Sequence, residues 1–197
     1  MNNRTKFIYF SLGILVGLTM GFSICKADPY LAIGQGVTKF DIDPYYIRGF
    51  QSADDSTKAV SHIAVGYDFN NDWALEVGYE DFNSFGWRSF QVSEGQINTS
   101  VRARGIYAAG KRYFGRTYVL LGAHKTNIDA DISRSIAGQN NQHISTSDVV
   151  AGLGYDIEIF DHLGLRLSYT KFMGIGNQNL IGSKTDAGVV GIAMVIR

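Results

Sequence analysis

Between Gly66 and Phe82 the chain reads GYDFNNDWALEVGYEDF, and few folds can accept that pattern. Ile63, Val65, Tyr67 and Phe69 put a large apolar group at every second position. Asn70-Asn71-Asp72 follows as a turn signal. Trp73, Leu75, Val77 and Tyr79 then resume the same alternation, with Ala74, Glu76, Gly78 and Glu80 between them. A period of two on both sides of a polar turn predicts a β-hairpin. One face of that hairpin is large and apolar, and the other is small or charged. The fold turns on which face meets the solvent.

Eight segments carry this alternation: 29–39, 60–70, 73–82, 97–112, 117–128, 147–157, 163–172 and 187–196. The connections between them alternate long, short, long, short, long, short, long. DIDPYYIRGFQSADDSTKA, NSFGWRSFQVSEGQ, DADISRSIAGQNNQHIS and GIGNQNLIGSKTD are the long ones. An up-and-down sheet places odd connections at one end and even ones at the other. Short turns at one end and long loops at the other are the layout of outer-membrane barrels. The chain is therefore expected to be all-β, an eight-stranded antiparallel up-and-down transmembrane β-barrel.

The N-terminus points to the same compartment. Arg4 and Lys6 precede an apolar run from Phe7 to Ser23, which ends in Cys25-Lys26-Ala27 before Asp28. Basic start, apolar middle and small-x-small end form a secretory signal peptide, read here as residues 1–27 with a barrel domain over 28–197. Its removal takes away three cations, Arg4, Lys6 and Lys26, and no acid, so the formal charge falls from zero to about −3. It also removes Cys25, the only cysteine, so stability is expected without disulfides. Twenty-three glycines, 2 prolines and 13% aromatics suit many strands. No basic excess marks a nucleic-acid partner.

The faces favour lipid outside. The rows Val149-Ala151-Leu153-Tyr155-Ile157, Leu163-Leu165-Leu167-Tyr169 and Val190-Ile192-Met194-Ile196 repeat the apolar face of the first hairpin. Opposite them stand Gly152, Gly154 and Asp156, then Gly164, Arg166 and Ser168. A soluble barrel would turn its apolar row inward and cover itself with lysine and glutamate. Here the charges within strands are few and of both signs, as a closed interior requires. Tyr67, Trp73, Tyr79, Tyr155 and Tyr169 are expected as a lipid-facing aromatic girdle.

PYLAIGQGVTKF, VGYDFNNDWALEVGYEDF, GLGYDIEIFDHLGLRLSYTKF and the terminal GVVGIAMVIR resemble the OmpA-like transmembrane domain and related small outer-membrane β-barrel proteins, over about residues 29–197. The resemblance implies a polar interior network, with Glu76 paired to Arg166 and Asp156 as a second interior acid. The family's interior lysine would fall near Ala108, so Arg104 is expected to replace it, with Glu80 nearby. Glu76, Glu80, Arg104, Asp156 and Arg166 are thus the candidate interior network, structural or ion-gating. Arg197 departs from the aromatic ending that usually marks the last strand for the barrel-assembly machinery. The periplasmic peptidoglycan-binding domain of larger relatives is not seen, so no cell-wall tethering is expected.

Other chemistry finds little support in the residues. His62, His124, His143 and His162 are scattered, and no G-x-S-x-G motif accompanies them. No metal set, phosphate loop or cofactor site is expected. The chain is read as a non-enzyme, with a lipid-modifying enzyme or a narrow porin-like channel as alternatives. Outer-membrane lipids and lipopolysaccharide are the expected surroundings. DPYYIRGF and FGWRSF, which mix aromatics with arginine, are candidates for contact with a surface or host ligand.

Overall fold

The computed structural model describes residues 28–40, 50–54, 57–70, 72–91, 95–136, 138–175 and 185–197. Segment 1–27, read above as a signal peptide, and most of DPYYIRGF lie outside these residues. Nine strands follow in chain order: β1 (Asp28–Phe40), β2 (Phe50–Asp54), β3 (Thr57–Asn70), β4 (Trp73–Gln91), β5 (Gly95–Phe114), β6 (Thr117–Arg134), β7 (Gly138–Phe160), β8 (Leu163–Ile175) and β9 (Thr185–Ile196). Eight of them form a ring in the order β4-β3-β1-β9-β8-β7-β6-β5, closed by β4 against β5. All pairings are antiparallel. Closure leaves the ring without a free edge, the condition for strands to cross a bilayer.

Exposure settles which way the sheet faces. Val65, Leu75, Val77, Ile106, Leu121, Leu153 and Val190 are 50–66% exposed, whereas Glu76, Lys111 and Arg166 are 3% exposed or less. A chain in water would reverse that arrangement. The alternation therefore sets aliphatic side chains toward lipid and polar ones toward the lumen. Tyr67, Trp73, Tyr79, Tyr155 and Tyr169 all lie on the outward rows.

At one end the connections are short and laced together. The Tyr113 amide donates to the Asp72 carbonyl at 2.7 Å, Asp156 to Arg116 at 2.9 Å and Arg197 to His162 at 3.0 Å. Gly115, at φ 67°, makes the tight β5–β6 turn with Arg116.

The other end differs from the sequence expectation. Two of the segments read as long loops, 83–96 and 129–145, are strand almost throughout. They lengthen β4, β5, β6 and β7 to 19, 20, 18 and 23 residues, about twice the ~9–11 that a bilayer crossing takes. β1, β3, β8 and β9 are described over 12–14 residues each. The four adjacent strands β4 to β7 thus continue as a wall above the rim. The short β2 also lies in a segment read as loop, and it pairs with the upper part of β4, Phe50 opposite Ser89. The extensions were hidden because above the bilayer no lipid selects one apolar face. Asn83, at φ 62°, sits in a bulge of β4 between Asp81 and Ser84. The bulge shifts the inward row from Glu76, Glu80 and Phe82 to the phase of Ser89.

Candidate functional site: the charged interior of the barrel

Most of the lumen's charges, among the described residues, form one connected cluster. Glu76 on β4 is the centre. Its Oε1 accepts from the Tyr107 hydroxyl at 2.7 Å. Its Oε2 accepts from the Tyr30 hydroxyl and from Arg166 Nη1, each at 2.7 Å, and from Lys111 Nζ. Arg166 then grips Asp156 with two bonds, Nε to Oδ1 at 2.8 Å and Nη2 to Oδ2 at 2.9 Å. Tyr113 contacts both ends of that pair, 3.4 Å from Asp156 Oδ2 and 3.5 Å from Arg166 Nη2. Asp156 Oδ2 also receives Arg197 Nη2 at 3.3 Å, and Arg197 Nε lies 3.6 Å from Asp68 Oδ2.

Register explains why these groups meet. Asp156 and Arg166 are direct partners across β7 and β8. Glu76 reaches them across the lumen, ninety residues earlier in the chain than Arg166. The cations are also clamped between rings. Arg166 lies 5.1 Å from the centroids of both Tyr30 and Tyr118, and Lys111 lies 4.4 Å from Tyr118.

Each clamping tyrosine needs a glycine. Tyr30 stands opposite Gly66, Tyr107 opposite Gly78 and Tyr118 opposite Gly154. A Cβ built on those glycines would come within 2.0–2.3 Å of the facing ring. The ring lies flat on bare backbone, and any side chain would lift it out of reach of the charges.

Above this cluster His62 Nδ1 lies 2.7 Å from Glu80 Oε1, and the His62 ring stacks on Tyr107. A void of about 20 Å³ between Glu80, Glu76, Tyr107 and Arg166 leaves room for about one water molecule. Higher still, the lumen is mainly apolar, with His124 and a few threonines among its buried groups. Val60, Phe82, Val101, Ile128, Val150, Phe172 and Ile175 are all at most 1% exposed. Phe82 and Phe172 meet edge to face at 5.1 Å.

Of the residues predicted for the interior, Glu76, Asp156 and Arg166 are brought together. Glu80 lies in the lumen with His62 as its partner. Arg104 is a correction, because its side chain points outward and is 43% exposed, with Nε 4.0 Å from Asp81 Oδ2. The same carboxylate takes Arg102 Nη2 at 3.0 Å. Arg102 and Arg104 continue the outward row of Ile106 upward, where charge replaces the apolar band. The interior lysine is Lys111, three positions beyond the expected place. Sequence reading also missed His62, Tyr30, Tyr107, Tyr113, Tyr118 and Arg197. The signal for the tyrosines was available in the glycines of the neighbouring strands.

Among the described residues the partners of His124 and His143 are structural ones. His124 Nε2 donates to the Met173 carbonyl at 2.7 Å, and Nδ1 lies 2.9 Å from the Thr126 hydroxyl, which is fully buried. His143 pairs with Asp129 at 2.7 Å on an exposed strand. Among the described residues no three of His, Cys, Asp and Glu converge as a metal site.

Solved structures with this fold include Ail of Yersinia pestis, in complex with the heparin analogue sucrose octasulfate. It is 16% identical with a TM-score of 0.55, covering 87% of this chain and 99% of that one. OprG of Pseudomonas aeruginosa is 14% identical with a TM-score of 0.52, covering 85% and 93%. No curated protein matches the sequence. A family model, the OmpA-like transmembrane domain, matches residues 25–197, and with its closed eight-stranded outer-membrane barrel the chain belongs to that family.

Proposed function

We propose that this protein is a closed, non-enzymatic outer-membrane barrel that holds a β-wall above the bilayer for contact with other macromolecules, and that it passes at most a small ion current. The filled lumen carries the reading. Eight strands enclose a width that side chains can fill, and here a hydrogen-bonded charge cluster fills the lower half and an apolar seal the upper. A solvated ion would have to part both. The buried hydroxyl beside His124 supports the non-enzymatic part, because no lipid could reach it.

The partners proposed are outer-membrane lipids and lipopolysaccharide around the belt, the barrel-assembly machinery during insertion, and a surface or host ligand at the wall and loops. Ail, with the same fold, is solved in complex with the heparin analogue sucrose octasulfate, a precedent for ligand binding by such a barrel. The reading is tested by planar-bilayer recording of the refolded protein, with heat-modifiable gel mobility as the check of folding. The expected result is a current far below that of a water-filled pore. A steady, large conductance from folded protein would overturn the closed barrel in favour of a narrow channel. Turnover of lipopolysaccharide acyl chains, abolished by His→Ala substitution, would overturn the non-enzymatic part.

A further inference from the structure

We propose that Arg197 is a latch on the short-turn mouth of the barrel, closing it by cancelling the charge of Asp68. The proposal rests on the closed-barrel reading and assigns the lower seal to a residue outside the Glu76 centre.

The placement is built from three elements. Arg197 follows β9 directly, and its amide is fixed to the His162 carbonyl of the β7–β8 turn at 3.0 Å. Its side chain then turns inward past Gly164, where a Cβ would stand 3.6 Å from Nη1. The guanidinium ends between Asp68 of β3 and Asp156 of β7, 3.6 and 3.3 Å away. Arg197 is 25% exposed where Arg166 is 2% exposed. Arg197 therefore stands at the boundary between lumen and water, and Arg166 stands behind it.

The two carboxylates depend on it unequally. Asp156 keeps the two-bonded grip of Arg166 whether or not Arg197 is present. Asp68 has Arg197 as its ion-pair partner, and its buried Oδ1 has no hydrogen-bond partner among the described residues. The connected network holds three cations, Lys111, Arg166 and Arg197, and three anions, Asp68, Glu76 and Asp156. It is neutral only with Arg197. Without that residue the mouth carries one uncompensated negative charge, which attracts cations into a low-dielectric opening.

The test uses the full barrel, refolded in detergent and reconstituted in planar bilayers under a potassium chloride gradient. Wild type, R197A, R197K, D68N and D68N/R197A are compared after each has shown heat-modifiable mobility. R197A is expected to raise the current several-fold and to move the reversal potential toward potassium. R197K is expected to stay near wild type. D68N/R197A is expected to return to wild type in both readouts. D68N alone leaves the opposite excess and is expected to favour chloride, an arm that stands even if R197A fails to fold. An R197A leak that D68N does not suppress would overturn the latch, as would a D68N barrel without anion preference. Equal small currents from wild type and R197A would overturn the latch alone. Equal large currents would overturn the closed barrel with it.

Discussion

Arg166 and Arg104 carry the same guanidinium, and their surroundings give it opposite weight. Arg166 is buried and holds Glu76 and Asp156 at once. Removing one partner of a buried ion pair costs about 3–5 kcal/mol, because the other charge stays out of water. Arg166→Ala is therefore expected to lower stability by about that amount and to raise conductance. Urea unfolding in micelles and single-channel current read the two effects. Arg104→Ala removes a half-exposed group at 4.0 Å from its partner, and the expected loss is under about 1 kcal/mol. Equal effects of the two substitutions would sink the assignment of interior and exterior. The tyrosine–glycine contacts are a second matter of single residues. Gly154→Val would force Tyr118 from its seat, where a Cβ meets its ring at 2.3 Å. Gly154→Val is expected to cost the barrel its heat-modifiable mobility. Combining it with Tyr118→Ala should cost less than the sum of the two single changes, since the clash is then gone.

At the level of elements, strand length separates what crosses the bilayer from what stands above it. In β5 the outward row runs Phe114, Arg112, Gly110, Ala108, Ile106 and then Arg104 and Arg102. The apolar band ends at Ile106. Residues above it pair with β6 in unbroken register, and with β4 on past the bulge at Asn83, but they touch no lipid. The upper β6–β7 hairpin should then be dispensable for the barrel. Asp129 and His143 are direct partners, so residues 130–142 can be replaced by an Asn-Gly turn. The shortened chain is expected to keep its heat-modifiable mobility, and to lose whatever surface binding the wall provides. Loss of folding would show that the wall is part of the barrel's stability.

The same division explains how much could be read from the sequence. The crossing strands were legible because lipid demands an apolar residue at every second position, as in Trp73-Leu75-Val77-Tyr79. The wall was not legible, since Ile132 and Ile144 stand among serines, asparagines and glutamines. Glu76, Asp156 and Arg166 stood out as charges in rows of small residues. Lys111 did not, because Arg102 and Arg104 drew the interior row of β5 onto its outer face. Tyr30, Tyr107 and Tyr118 were obscured by the expectation that aromatics in such strands face lipid.

Seen whole, the molecule is stratified along its axis. Arg197 and Asp68 occupy the lower mouth, the Glu76 centre comes next, and the Phe82–Phe172 seal lies above it. Each layer joins strands far apart in sequence, so none can form before the ring has nearly closed. On one arc of the ring, β4 to β7 continue upward as four neighbouring long strands. From Gly138 to Asp148, β7 climbs on the order of 35 Å along its own direction, at ~3.3 Å per residue. A climb of that size is a matter of reach. The crest, with Ile136 69% exposed, can meet an object held off by a layer of surface sugars. A large object would then dock on the wall, where the strands are tall, before it came near the bilayer.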